Sequence, residues 1–337
     1  MRIPENGWQP DILGAGFEAL TLSLKPDAEG PVVATLVRAV GRFRLELVRP
    51  IAAGVDVLYL HGWSDYFFQT ELADFWQDAG AHFHALDLRK YGRSLREGQT
   101  PGYITDLAAY DEDIEAALSA MGHGEGSRSK RQLLLLGHST GGLILSLWAN
   151  RHRGRASALV LNSPWLEFQA SGVGRAAIQP IIDLQARVDP RAPLPRVDLG
   201  FYTRSVSADY EGSWTYKKEW RPERGFMAHP AWLRAILAGH ARVASGLAID
   251  APVLSMISAR SMLVPKWEPA MMTSDVVLRV DDIAVRSTRL GALVTILRLD
   301  GALHDVFLSA EPVRRQAYRE LTRWLRSYLQ PENERMS

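Results

Sequence analysis

The chain has 337 residues, 47% of them hydrophobic and 23% charged, with a formal net charge of +1. That length supports one large domain, or one domain carrying an insertion, with a sizeable core. The near-neutral balance supplies no field for nucleic acid. With no cysteine, a disulfide framework, a thiol nucleophile and a cysteine-based zinc site are excluded. No apolar run approaches membrane-spanning length. The opening residues Met1 to Gly7 lack the apolar core of a signal peptide, so a cytoplasmic location is the expectation.

From Leu13 to Val48 apolar and polar positions alternate, as in Ala19-Leu20-Thr21-Leu22-Ser23-Leu24. The turn Lys25 to Pro31 separates this run from Val32 to Val37, which predicts a hairpin with a third strand near Phe43 to Val48. Val55 to Leu60 is a short apolar strand ending in His61-Gly62-Trp63. A helix over about Gln69 to Ala79 and a strand from His82 to Leu86 follow, leading into Asp87-Leu88-Arg89-Lys90-Tyr91-Gly92-Arg93-Ser94. Ile104 to Met121 carries an apolar helical face and ends at Gly122, a suitable C-cap. Leu133 to Leu136 is four leucines without polar alternation, the pattern of a strand buried on both faces.

After those leucines comes Gly137-His138-Ser139-Thr140-Gly141, a G-x-S-x-G sequence, and then Leu143, Ile144, Leu147 and Trp148 at helical spacing. Strand, sharp turn and helix are the context of a nucleophile elbow, which presents its serine above a sheet near the positive end of a helix. Ala158 to Leu161 is a further strand. From Pro164 to about His240 prolines and glycines are frequent and strand patterns vanish, which reads as an inserted lid of helices and loops. Strands return at Pro252 to Ile257 and Leu293 to Leu297, and an amphipathic helix runs from about Pro312 to Leu329. The expected architecture is α/β, mostly parallel, with core segments 1–163 and 246–337 around a lid of 164–245.

A serine hydroxyl is a poor nucleophile at neutral pH and needs a base, an acid behind the base, and donors for the oxyanion. Of nine histidines, His304 alone lies in a loop just after a C-terminal strand, in Asp300-Gly301-Ala302-Leu303-His304-Asp305, and is the candidate base. The acid belongs between the strand ending near Ile257 and His304. Asp275 is the first choice because an apolar run, Val276-Val277-Leu278, can pin its loop; Asp281 and Asp282 are the alternatives. The oxyanion donors expected are the backbone N–H groups of Thr140, which follows the nucleophile, and of Trp63, with Gly62 allowing close approach. Gly62, His138, Trp165 and Trp214 are the expected substrate-lining residues, the last two among the many aromatic side chains of the lid.

At these residues the chain resembles the α/β-hydrolase superfamily of serine hydrolases, from about residue 10 to 330. The nearest branch in appearance is that of monoacylglycerol lipases and lysophospholipases, grouped with serine aminopeptidase-like hydrolases. The matching pieces are His61-Gly62, Asp87-x-Arg89-x-x-Gly92-x-Ser94, Gly137-His138-Ser139-Thr140-Gly141 and Gly301-x-x-His304. The resemblance implies an eight-stranded sheet, a lid after the sixth strand, and hydrolysis of carboxylic esters with no cofactor and no metal. The partner it implies is a small-molecule ester with an apolar acyl chain. The chain departs from the family in one place: the acid usually falls at about Ser261, whereas here Met262 to Thr273 intervene before Asp275. Acyl transfer, peptide cleavage and a catalytically silent binding protein are the rival readings. No acidic lid cluster for a free amino terminus stands out, which favours esters.

Overall fold

The computed structural model describes residues 7–41, 50–168, 172–196 and 198–329, and of 172–178 the backbone alone. The predicted strand near Phe43 to Val48 lies outside them. Among the described residues nine strands form one sheet: β1 (Gln9–Pro10), β2 (Phe17–Asp27), β3 (Gly30–Ala39), β4 (Val55–Leu60), β5 (His82–Asp87), β6 (Gln132–His138), β7 (Ala158–Asn162), β8 (Val253–Ser258) and β9 (Val294–Leu299). Their order is β1-β2-β3-β5-β4-β6-β7-β8-β9. All pairings from β5 to β9 are parallel, while β3 runs antiparallel to both β2 and β5. The two-residue β1 adds a ninth strand to the eight that the resemblance implies.

The helices are α1 (Thr70–Asp78), α2 (Tyr110–Ala120), α3 (Thr140–Arg151), α4 (Gly172–Val188), α5 (Phe201–Val206), α6 (Pro230–Ala244), α7 (Val280–Ser287) and α8 (Glu311–Tyr328). Strand alternation sends side chains to opposite faces, so the parallel strands feed two cores. Leu58, Leu60, Leu133, Leu135, Leu159 and Leu161 pack with Ile114, Leu143, Leu147 and Ile236 of α2, α3 and α6. Val57, Tyr59, Leu134, Leu136 and Val160 pack with Leu72 and Trp76 of α1 and with Leu321 and Leu325 of α8. The four leucines of β6 are each no more than 2% exposed; each stabilises the fold by about 2 kcal/mol through burial. That explains why the strand tolerates no polar alternation.

Two local readings change. The single helix expected from Ile104 begins instead at Tyr110, after a 3₁₀ turn over Leu107–Ala109. The Asp106 carboxylate accepts the Ala108 N–H at 2.9 Å, and that local cap sets the start of the turn beyond Ile104. Helix α7 has no counterpart in the sequence reading. Val280, Ile283 and Ser287 are its buried residues, with Ala284 packed against the core; at eight residues it is too short for that spacing to stand out. Between β7 and β8 stand α4, α5 and α6 and, among the described residues, no strand of the sheet.

Candidate active site

Ser139 caps α3 at φ 50, ψ −115, directly after the last residue of β6. A non-glycine residue held there stores roughly 1–3 kcal/mol, which the surroundings must impose. The Ser139 N–H donates to the Asn162 carbonyl at 2.9 Å, and the Ser139 carbonyl accepts the Trp165 N–H at 3.0 Å. Gly141 lets the helix pass under the end of β4: a Cβ there would lie 2.5 Å from the Leu60 carbonyl oxygen. Ser139 is 7% exposed.

His304 reaches the same end of the sheet from the loop after β9, which turns at Gly301 with φ 74. Its Nδ1 lies 2.8 Å from Asp275 Oδ2, and both side chains are buried. The other oxygen of Asp275 accepts the N–H groups of Val277 and Leu278, each at 2.8 Å, so the apolar run beyond the aspartate anchors it through its backbone. The residues inserted before Asp275 form an excursion whose ends meet. The Asp275 N–H donates to the Arg260 carbonyl at 3.0 Å, and the Met262 N–H to the Asp275 carbonyl at 2.8 Å. Asp275 therefore stands beside Ser261, its partner in an isolated β-bridge, where the family pattern puts the acid. Asp281 and Asp282 stand in the first turn of α7, and Asp281 pairs with Arg298 at 2.7 Å on the surface.

Gly62 packs against the elbow: a Cβ there would lie 3.1 Å from both Ser139 Cβ and His138 Cδ2. The His61 ring fixes the next peptide. Its Nδ1 is 2.7 Å from the Gly62 carbonyl and its Nε2 is 3.1 Å from the Leu88 N–H, a pattern that assigns the proton to Nδ1. Burial lowers the pKa of His61 and keeps it in that neutral form. With the peptide trans, holding the Gly62 carbonyl points the Trp63 N–H the opposite way. The Thr140 N–H is at the first position of α3, where a helix provides no acceptor of its own.

His138 is 1% exposed. Its Nδ1 lies 3.1 Å from the Asn162 carbonyl and its ring centroid 4.9 Å from that of His304. Burial pushes its pKa down to about 4, so it packs beneath His304 as a neutral ring. Trp165 follows the elbow contact directly and belongs to a row of indoles. The Trp63 and Trp232 centroids are 3.8 Å apart, and those of Trp232 and Trp165 6.1 Å. Trp214 sits elsewhere: its Nε1 donates to the Leu308 carbonyl at 2.9 Å and its ring meets Phe68. Two contributors went unread in the sequence, Asn162 and Asp305. Asn162 Nδ2 donates to Asp305 Oδ1 at 2.6 Å, and Asn162 Oδ1 accepts the Val306 N–H at 3.1 Å. The available signal was position: Asn162 ends the strand beside the elbow, and Asp305 follows His304.

Among proteins of known identity, the chain is 26% identical over 279 residues to a monoacylglycerol lipase of Mycolicibacterium smegmatis, covering 82% of this chain and 89% of that one. It is 27% identical over 155 residues to phospholipase YtpA of Bacillus subtilis, covering 45% and 53%. A soluble variant of monoglyceride lipase from Saccharomyces cerevisiae, solved with a substrate analog, shares the fold. The TM-score is 0.62 at 16% identity, over 91% of this chain and 96% of that one. Residues 54–275 match the family described as serine aminopeptidase, S33. With the sheet order, the elbow and that match together, the chain belongs to the serine aminopeptidase S33 family of α/β-hydrolases.

Proposed function

We propose that the protein is a serine hydrolase that cleaves carboxylic esters of apolar, lipid-like acyl chains, with Ser139, His304 and Asp275 as its triad. The observation that carries this reading is the 2.8 Å contact between His304 Nδ1 and Asp275 Oδ2, with the His304 ring 4.9 Å from that of His138, the residue before a serine held at φ 50. With its Nδ1 proton directed at the carboxylate, His304 leaves Nε2 free to accept the Ser139 hydroxyl proton. The serine oxygen then bonds to the ester carbonyl carbon, and the oxyanion forms toward the N–H groups of Trp63 and Thr140. Collapse breaks the bond to the alcohol, which leaves with the proton from His304. Water, deprotonated by His304, releases the acid from Ser139.

The stretch 164–245 serves in this reading as a lid, and the indoles of Trp63, Trp232 and Trp165 form the apolar wall met by the acyl chain. Relatives named as a monoacylglycerol lipase and a phospholipase support a lipid-like ester. The test is a panel of p-nitrophenyl esters, monoacylglycerols, lysophospholipids and aminoacyl p-nitroanilides, each run with a Ser139→Ala control. Turnover of esters that disappears in the variant is the expected result. Preference for the anilides, or ester turnover that survives Ser139→Ala, overturns the proposal.

A further inference from the structure

The loop 62–67 carries the Trp63 N–H; the core packs Tyr91 against Trp63 and Arg93 over Tyr66, and it also holds the two ends. Gly62 lies against Ser139 and His138, and the Phe67 N–H donates to Asp87 Oδ1 at 3.0 Å. The middle is held from the stretch between β7 and β8. Ser64 Oγ accepts the Phe226 N–H at 3.0 Å, and the Tyr66 hydroxyl accepts the Lys217 N–H at 2.7 Å. Between them, Asp65 Oδ1 lies 3.1 Å from Arg221 Nε. Three consecutive loop residues thus engage one segment, 217–226. Ser64 stands at φ 53, a conformation a serine keeps only where its surroundings impose it.

Asp65 and Arg221 are the buried centre of this clamp, at 2% and 3% exposed. The Arg221 guanidinium carbon lies 4.8 Å from the Tyr202 ring centroid and 4.6 Å from that of Tyr216. The Tyr202 ring in turn meets the His304 ring edge-on at 5.2 Å. One side chain therefore bears on both the oxyanion loop and the ring beside the nucleophile. Stability alone is a poor reason for such a pair, because replacing a buried ion pair by apolar side chains is often neutral or stabilising. Burial pushes the Asp65 carboxyl up to about 7 against the pull of Arg221, with Asp305 and Asp87 adding to the rise. Without the guanidinium the carboxyl loses the cation that favours its ionised form, and the loop loses that anchor.

We infer that Arg221 is a positioning residue: through Asp65 it sets the loop that presents the Trp63 N–H, and through Tyr202 it backs the His304 ring. This rests on the hydrolase reading above. Misplacing an oxyanion donor acts on the transition state rather than on ground-state binding. The predicted signature is a fall in kcat with little change in KM.

The experiment compares wild type, Arg221→Lys and the double variant Asp65→Leu/Arg221→Met on p-nitrophenyl butyrate, with melting curves and the rate of fluorophosphonate labelling at Ser139. The double variant removes both charges and leaves no buried ion unpaired. It is expected to melt near wild type yet lose about 10- to 100-fold in kcat, to label more slowly, and to keep KM within about twofold. Arg221→Lys, which keeps the charge but not the planar fork, is expected to recover part of kcat. If the double variant melts early, Arg221→Lys decides the matter below its transition: unchanged kcat and labelling overturn the inference. A folded double variant with wild-type kcat does the same. Wild type that shows neither turnover nor labelling at Ser139 overturns the hydrolase reading itself, and this inference with it.

Discussion

Asn162 and Asp305 are joined by a 2.6 Å hydrogen bond between side chains 143 positions apart in the chain. Through this contact the strand beside the elbow holds the residue next to His304. The same asparagine accepts the Ser139 N–H on its carbonyl oxygen and the Val306 N–H on its side chain. The backbone of the candidate nucleophile and the loop of the candidate base thus share one anchor. Asp305 takes two further bonds, from Gln69 Nε2 at 3.2 Å and the Phe307 N–H at 2.9 Å.

Asn162→Ala removes a donor from a buried carboxylate and an acceptor from a buried N–H. Each such loss costs about 1–3 kcal/mol. The variant is expected to melt several degrees below wild type and to lose roughly tenfold in kcat, as the 305–308 loop relaxes away from Ser139. Thermal melting and ester turnover check the two parts separately.

Asp275→Asn is the sharper change at the site. The amide oxygen can still accept from Val277 and Leu278, so the loop is expected to hold. The amide nitrogen, however, would present a hydrogen to His304 Nδ1. The ring must then carry its proton on Nε2, the atom that has to take the serine proton. A loss of about four orders of magnitude in kcat is expected, with an unchanged circular dichroism spectrum. Near-wild-type turnover would remove Asp275 from the triad.

What could be read from sequence follows contact distance along the chain. The hairpin of β2 and β3, the leucines of β6 and the Gly137 to Gly141 turn are local patterns, so periodicity and glycine spacing reveal them. Asp275 was ambiguous because its position depends on a bridge back to Ser261 across an excursion without strong periodicity. Helix α7, which carries the rival aspartates, is too short at eight residues for its spacing to announce itself. Asn162 with Asp305 and Asp65 with Arg221 meet only once the sheet and the inserted helices are in place. A lone asparagine or arginine carries no local signal of such a partner.

Another buried carboxylate lies toward the opposite end of the sheet. Asp56, near the start of β4, receives His123 Nε2 at 2.7 Å, His82 Nδ1 at 3.0 Å and Arg131 Nε at 2.6 Å. Burial works against its ionised form, but these three donors prevail and hold the carboxyl well below the usual range. A depressed folded pKa means stabilisation that is full above the unfolded value, about 4, and is lost as pH falls through the folded one. Asp56→Asn is therefore expected to lower the melting temperature at pH 7. The gap to wild type should narrow as pH falls below about 4. Ester turnover at neutral pH should stay near wild type, because the change is several residues along β4 from Gly62. A gap that widens in acid would contradict the ion-pair account.

In the proposed ester hydrolysis the indole row bears on which acyl chains are accepted. Trp63 belongs to the proposed oxyanion loop, Trp165 donates its backbone N–H to the Ser139 carbonyl, and Trp232 lies between them from α6. Phe226 closes edge-on against Trp63 at 5.9 Å. On the proposed mechanism, an acyl chain leaving the Ser139 oxygen along this wall would bury one methylene after another against aromatic faces. Each is worth about 0.8 kcal/mol, which is close to fourfold in kcat/KM per carbon while the wall continues. A series of p-nitrophenyl esters from acetate to dodecanoate, kept below the critical micelle concentration, reads this slope directly. A steep climb over several carbons followed by a plateau is expected, and Trp232→Ala should flatten it while leaving acetate turnover nearly unchanged. A preference for acetate that falls with every added carbon would mean a closed short-chain pocket, with the three indoles serving only to pack the inserted helices onto the sheet.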